Sequence, residues 1–338
     1  MGASPRAYGL PVHGARATVD GRGRAEELLA RFGRNPLSFC IRYDAPWQYV
    51  FGEEAEGAVA YLERKGVALV WGEPLAAQTA SDTLLDEATA VLRARRMRIC
   101  LLLVGAETAA HALDRGYGVL KIGEQPYFAL DEWQPPRGDP GKRLRWCLNK
   151  ANRAGVRVRP YEPADEGLVL DALAAWERGL GRPPARSFLR ASPLTLAREK
   201  RLFLALCDGR VDALLACAPV PAANGWFLED LIRRPDAPMG ATEAVVVEAL
   251  RALAADGAER AWMDVAPLRG SEAQLDGRAR ILFRAAAPAV SFFDSRYHFR
   301  ALTTYLDKFQ PTSWTPRYVA LNPPLPTVGL IRAVNALL

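Results

Sequence analysis

The chain has 338 residues, half of them apolar, with 44 Lys plus Arg against 38 Asp plus Glu and a formal net charge of +6. That apolar fraction fills cores and excludes a disordered chain, and the length leaves room for two domains of roughly 100–200 residues each. The mild cationic excess permits an anionic partner such as tRNA or a lipid headgroup without requiring one.

Residues 1–24, rich in Gly, Ala and Arg, are expected to be loose. Order is expected from Ala25, first in a short amphipathic helix over 26–32, then in strands where Phe39–Phe51 alternates around Tyr43, Trp47 and Tyr49. The apolar run 66–71 reads as a buried strand, broken by Gly72-Glu73-Pro74. Ser81 is placed to cap a helix with Leu84, Leu85, Ala88, Val91 and Leu92 on its apolar face. Arginines at 93, 95, 96 and 98 suit the C-terminal end of that helix. A second buried strand is expected over 99–104, a short helix over 107–115, and strands at 119–120 and 127–130. The Pro- and Gly-rich segment 135–141 reads as a linker between a first unit, 25–134, and a second, 142–322.

The second unit repeats the pattern. A basic helix over 142–154 stops at Gly155, and a strand follows over 156–161. A helix over 165–179 comes next, then a hairpin of 202–207 and 211–219 through Asp208-Gly209. A strand at 226–231, a turn at Pro238-Met239-Gly240, and a helix with Val246, Ala249, Leu250 and Leu253 in line continue the order. A strand over 262–265 ends before Pro267, and a last helix spans 295–309. In the tail, 323–338, a short apolar face over 328–338 either docks on the body or touches a membrane. The fold class is therefore α/β with mixed sheets, in two similar units.

Cys40, Cys100, Cys147, Cys207 and Cys217 form no CxxC and no regular framework, which points to free thiols in a reducing, cytoplasmic setting. No run reaches the ~18 apolar residues of a bilayer span and no signal peptide is expected, so any membrane contact is peripheral, at the inner face. His13, His111 and His298 lie far apart without metal spacing. HExxH, GxSxG, GxxxxGK[ST] and strand-linked GxGxxG are missing, which disfavours zinc hydrolysis, a serine triad, ATP hydrolysis and dinucleotide redox. A transferase using a pre-activated donor needs none of these parts.

Five segments in order resemble the C-terminal catalytic region of the phosphatidylglycerol lysyltransferase family: Gly72-Glu73-Pro74-Leu75; Leu144 to Gly155 with Asn149-Lys150; Glu229-Asp230-Leu231-Ile232-Arg233 followed by Pro238-Met239-Gly240; Val265-Ala266-Pro267-Leu268; and Phe299 to Tyr318 with Tyr305, Lys308, Trp314 and Arg317. The resemblance covers roughly residues 39–322. It implies two tandem acetyltransferase-like (GNAT-like) domains and transfer of lysine or alanine from aminoacyl-tRNA to phosphatidylglycerol, with no cofactor. Many members carry a large N-terminal membrane domain, which is not expected in this chain. The acceptor is then the anionic lipid or a soluble amine or peptide.

The match makes Asp230 and Arg233 the candidate catalytic pair: Asp230 either orients the donor's α-amine or takes the acceptor proton, and Arg233 binds a phosphate or polarises the ester. An ion pair between them is the structural alternative. Glu229 either selects a cationic side chain such as lysine or pairs with Arg260. The Gly240 turn offers helix N–H groups to a tRNA phosphate. Lys308 and Arg317 are candidate phosphate contacts, or surface charges beside packed aromatics. Asn149 and Lys150 lie in the basic run 142–159, which either tracks phosphates or is a solvated face. An acyl-CoA N-acyltransferase and a non-catalytic tRNA or lipid binder are the remaining alternatives.

Overall fold

The computed structural model describes residues 21–180, 192–275, 277 and 299–324. The expectations for most of the N-terminal segment and for the apolar face at 328–338 lie outside those residues.

The first half runs α1 (Arg22–Phe32), a 3₁₀ turn (Ser38–Arg42), β1 (Trp47–Phe51), β2 (Gly57–Arg64), β3 (Val67–Trp71), β4 (Leu75–Ala76), α2 (Ser81–Ala94), β5 (Arg98–Val104), α3 (Ala106–Asp114) and β6 (Gly118–Ala129). The second runs α4 (Lys142–Arg153), β7 (Arg157–Pro160), α5 (Glu166–Gly179), β8 (Arg201–Cys207), β9 (Arg210–Val220), β10 (Gly225–Arg233), α6 (Ala241–Ala255), β11 (Arg260–Trp262), β12 (Ala266–Pro267), α7 (Phe299–Asp307) and β13 (Ser313–Asn322).

Three local expectations are corrected. The alternating segment 39–51 forms a strand only from Trp47, because residues 38–42 close into the 3₁₀ turn and bury Phe39, Cys40 and Ile41. The two short strands expected at 119–120 and 127–130 are one twelve-residue strand. Ser81 is the first helical residue of α2 and makes no capping hydrogen bond. The β8–β9 hairpin turns as expected, with Asp208 at φ 50° and Gly209 at φ 74°.

All the described strands join one sheet in the order β1-β2-β3-β5-β13-β6-β11-β10-β9-β8-β7, with β4 on β2 and β12 on β6. The order is nearly palindromic. In each half a parallel pair is linked through a helix: β3 and β5 through α2, β10 and β11 through α6. The closing strand of each half crosses to the other, so β13 pairs with β5 and β6 pairs with β11. The mixed α/β, acetyltransferase-like architecture expected from the sequence is thus the one found, with its two halves sharing a sheet.

Alternate residues of the strands face different cores. Val50 packs with Leu84, Leu85 and Leu92 of α2, whereas Tyr49 packs with Leu28 and Leu29 of α1. In the second half Phe203 and Ala205 face α4 and α6, and Leu204 faces Val169 and Ala172 of α5. Nearly all of β9 is buried, which fits a strand covered on both faces. All five cysteines are free, and all but Cys207 are buried. Among the described residues no helix is long and apolar enough to cross a membrane.

Candidate active site

The site begins with an irregularity in β10. Its register against β9 shifts between Leu228, opposite Cys217, and Asp230, opposite Ala216, so Glu229 is the extra residue of a β-bulge. Bulges re-aim side chains. Glu229 here lines a cleft of about 160 Å³ shared by both halves. Phe39, Cys40, Tyr43, Trp71 and Leu103 come from the first half, and Phe227, Glu229 and Asp264 from the second. The lining holds two carboxylates and no cationic side chain. Leu103 keeps φ at 59°, a strained conformation for a bulky residue, at the wall of this cleft.

Behind the lining the Glu229 carboxylate is held on two sides. The Tyr43 hydroxyl donates to it at 2.5 Å, and the ammonium of fully buried Lys200 lies 2.7 Å from Oε2. The same ammonium sits 4.7 Å from the Tyr43 ring centroid. Burial and the neighbouring Glu229 push the Tyr43 phenol far up, so it stays a donor. The expected alternative partner of Glu229 does not meet it: Arg260 lies 3.7 Å from Glu259 and donates to the Ala223 carbonyl.

Asp264 follows β11 and accepts the Val265 N–H at 2.7 Å. Its side chain is exposed to solvent at the cleft. Crowding by the surrounding protein, with a smaller contribution from Glu229, raises its pKa. Sequence reasoning missed Asp264, Tyr43 and Lys200. The signal for Asp264 was its place just past the second strand of a parallel β–α–β pair, where open α/β sheets bind ligands.

Asp230 and Arg233 are three residues apart in an extended strand, which places them on opposite faces. Asp230 shares a face with Ile232, which packs towards α5, and is close enough to raise the Tyr43 phenol. Arg233 shares a face with Leu231, on the α4 and α6 side. It is exposed and donates from Nη2 to the Ala237 carbonyl at 2.7 Å. The structure therefore puts Glu229 in the lining of the cleft, Asp230 next to it but outside that lining, and Arg233 on the opposite face of β10.

Gly240 and Lys308 meet at the start of α6. Gly240 has φ 90°, and a Cβ there would lie 2.1 Å from the Cys147 carbonyl of α4. Its function in the fold is close helix packing. Glu243, in the first turn of α6, is ion-paired with Lys308, and both side chains are buried. Burial alone would raise the Glu243 carboxyl, but Lys308, its own N–H and the Thr242 hydroxyl outweigh it and hold the carboxyl below its usual range. The helix start expected to receive a phosphate thus already holds a carboxylate of the chain, and the Lys308 charge is matched within the fold.

Arg317 is buried in β13. It spends Nε and Nη2 on Gln125 Oε1 of β6, at 2.9 and 2.7 Å, and burial lowers its pKa. Nη1 lies 3.8 Å from Glu73, in a larger cleft of about 310 Å³ at the N-terminus of α3. That cleft is lined by Glu73 and Pro74 of the turn but not by Glu229, Asp230 or Asp264. Asn149 and Lys150 lie exposed on α4. Among the described residues no group of His, Cys, Asp and Glu has a metal-holding arrangement.

The mixed sheet carries two repeated β–α–β units and a shared acidic, aromatic cleft, and the comparisons with known proteins show which family has this architecture. The family model described as phosphatidylglycerol lysyltransferase, C-terminal, matches residues 26–321. The chain belongs to that family. The solved C-terminal domain (DUF2156) of a putative lysylphosphatidylglycerol synthetase from Agrobacterium fabrum is similar, with TM-score 0.75 and 18% identity, covering 94% of this chain and 96% of that one. L-PGS from Bacillus licheniformis gives TM-score 0.74 at 17% identity, covering 93% and 96%. FemX gives 0.56 at 10%, covering 90% and 96%. These likenesses are of fold. No curated protein matches the sequence.

Proposed function

We propose that this phosphatidylglycerol lysyltransferase-like protein transfers a cationic amino acid, lysine first, from aminoacyl-tRNA to phosphatidylglycerol. The observation that carries this reading is the cleft with two carboxylates, four aromatic rings and no cation in its lining. Such a lining favours an ammonium group through charge and through the ring faces. Lys200 compensates one carboxylate from behind, which leaves Asp264 to meet the incoming charge or proton. Family membership supports the reaction class, since lysine transfer is in the family's description.

The donor is an activated ester, so no cofactor is required. The acceptor hydroxyl oxygen attacks the ester carbonyl carbon. The new C–O bond forms as the bond to the tRNA 3′ oxygen breaks. The acceptor's proton passes to the Asp264 carboxylate and from there to the departing 3′ oxygen. A carboxylate with a raised pKa is the better base for this step. Asp230, next to Glu229 on β10, orients the α-amine, and Arg233, on the other face, holds a tRNA phosphate. A coenzyme A donor is disfavoured by the packed turn at Gly240 and the Glu243 carboxylate at the start of α6.

The test incubates the protein with labelled aminoacyl-tRNAs, with and without phosphatidylglycerol vesicles. Label is expected in the lipid from lysyl-tRNA. Label in a soluble amine or peptide would replace the lipid acceptor. No transfer to any acceptor, where a family relative works, would overturn the reading.

A further inference from the structure

We propose that the larger cleft, at the N-terminus of α3, seats the phosphodiester of the acceptor headgroup against the buried guanidinium of Arg317. The inference deepens the transfer reading and rests on it for the choice of phosphatidylglycerol as acceptor.

A buried charge needs a counter-charge close by. The charged side chains buried among the described residues are Lys121, Asp165, Lys200, Asp212, Glu243 and Arg317. All but Arg317 meet theirs. Lys121 and Lys200 each lie 2.7 Å from a carboxylate, of Glu124 and Glu229. Asp165 and Asp212 each accept from an arginine at 2.6 Å, and Glu243 pairs with Lys308. Arg317, only 5% exposed, gives Nε and Nη2 to the neutral amide oxygen of Gln125. Among the described residues the one carboxylate within ion-pair reach, Glu73, stands 3.8 Å from Nη1, too far for a hydrogen bond. Glu73 turns Oε1 to the Gly105 N–H instead, at 2.8 Å.

Nη1 lies where a helix already favours an anion. A Cβ on Gly105 would be 3.5 Å from Nη1, and Gly105 is the N-cap of α3 with no side chain to cap it. Residues 105–108 line the cleft, so the first-turn N–H groups, which no helical carbonyl satisfies, share its wall. Ser81, which opens α2, lines it too. Asn35, also 5% exposed, is in the lining, and its Nδ2 has no hydrogen-bond partner among the described residues. The charged side chains of the lining, Arg34 and Arg317 against Glu73 and Glu107, cancel. The two helix starts add roughly half a positive charge each, which one phosphodiester would balance.

Ser38, Gln78, Thr108 and Thr315 supply hydroxyl and amide groups for a glycerol headgroup. A nucleobase has no platform here, because Phe32 is the one ring in the lining and the Arg31 guanidinium already lies over it at 4.7 Å. That favours a lipid headgroup over the tRNA end. The two clefts adjoin: Asn35 and Ser38 line this one, and Pro36 and Leu37 line the one with Asp264. Trp71 and Leu103 of that cleft each stand two residues before Glu73 and Gly105 of this one. A headgroup anchored by its phosphate at Arg317 has its free hydroxyl at the border of the aminoacyl cleft.

Binding of glycerophosphoglycerol, the headgroup without its acyl chains, is measured by calorimetry on the full chain, beside inorganic phosphate and the trinucleotide CCA. Wild type is expected to bind the diester more tightly than either. Arg317→Lys is expected to weaken binding about tenfold, because an ammonium cannot keep the Gln125 contacts and reach the ligand together. Exposed Arg34→Gln is expected to weaken it about threefold and leave thermal unfolding unchanged. Glu73→Gln removes the competing charge and is expected to strengthen binding about threefold, which a merely structural Glu73 would not do. Asp264→Asn, in the other cleft, should bind the diester as wild type does. The proposal is overturned if wild type does not bind the diester, if phosphate or CCA binds as tightly, or if Arg34→Gln and Glu73→Gln both bind as wild type does. Lost lysine transfer with diester binding intact would count against the reaction and leave the site standing; transfer without diester binding would do the reverse.

Discussion

Glu243 and Lys308 face each other with only 8% and 10% of their side chains accessible, so each charge depends on the other. Lys308→Met leaves a buried carboxylate without its partner and is expected to cost about 3 kcal/mol in urea unfolding, with most of that recovered in the double variant with Glu243→Met. A purely phosphate-binding lysine would leave stability unchanged and alter only transfer. The carboxyl is held below its ordinary value of 4.5, so its contribution is complete above that pH and is lost as pH falls through the lower folded value. Asp264 shifts the other way. Its proton leaves above the ordinary 3.8, so transfer is expected to rise with pH along a limb displaced upward from that value. Asp264→Asn should abolish transfer; persistent transfer with an unchanged acid limb would remove Asp264 from the reaction. Asp230, Arg233, Lys308 and Arg317 stood out in the sequence because they sit in recognisable segments. Asp264 and Lys200 did not, because their roles depend on contacts with strands and turns distant in the chain.

The helices were the most legible elements, since a 3.6-residue apolar period identifies them without tertiary information. The strands were less so. The 3₁₀ turn at 38–42 alternates like a strand, and only packing of Phe39 and Ile41 beneath the cleft decides its form. The bulge at Glu229 has no sequence signal either, because it arises from register against β9. Gly240 shows what an element contact requires of one residue. Gly240→Ala combines a left-handed backbone, unfavourable by about 1–2 kcal/mol for an L side chain, with a clash against the Cys147 carbonyl. It is expected to destabilise the chain by about 2 kcal/mol or more in urea unfolding; unchanged stability with lost transfer would instead indicate a ligand contact.

Across the whole molecule, the crossing of β6 and β13 makes the halves interdependent. β13 lies between β5 and β6 and is hydrogen-bonded to both, although it is the last described strand of the chain. Neither half has a complete sheet without the other. Calorimetry should show one cooperative transition; two transitions, one per half, would contradict the shared sheet. Composition and element order pointed to two units of one kind, and that repetition is present. The exchange of closing strands was not legible, since β13 pairs across about two hundred residues of sequence and no local pattern records it.

The walls of the cleft come from both halves of the chain. The most direct measurement is therefore transfer of label from lysyl-tRNA and from alanyl-tRNA to phosphatidylglycerol, in wild type and in Glu229→Gln and Asp264→Asn. Wild type is predicted to favour the lysyl donor, Glu229→Gln to narrow that preference, and Asp264→Asn to lose transfer from both. Equal transfer of lysine in all three proteins would contradict the assignment of the cleft as the seat of the aminoacyl group.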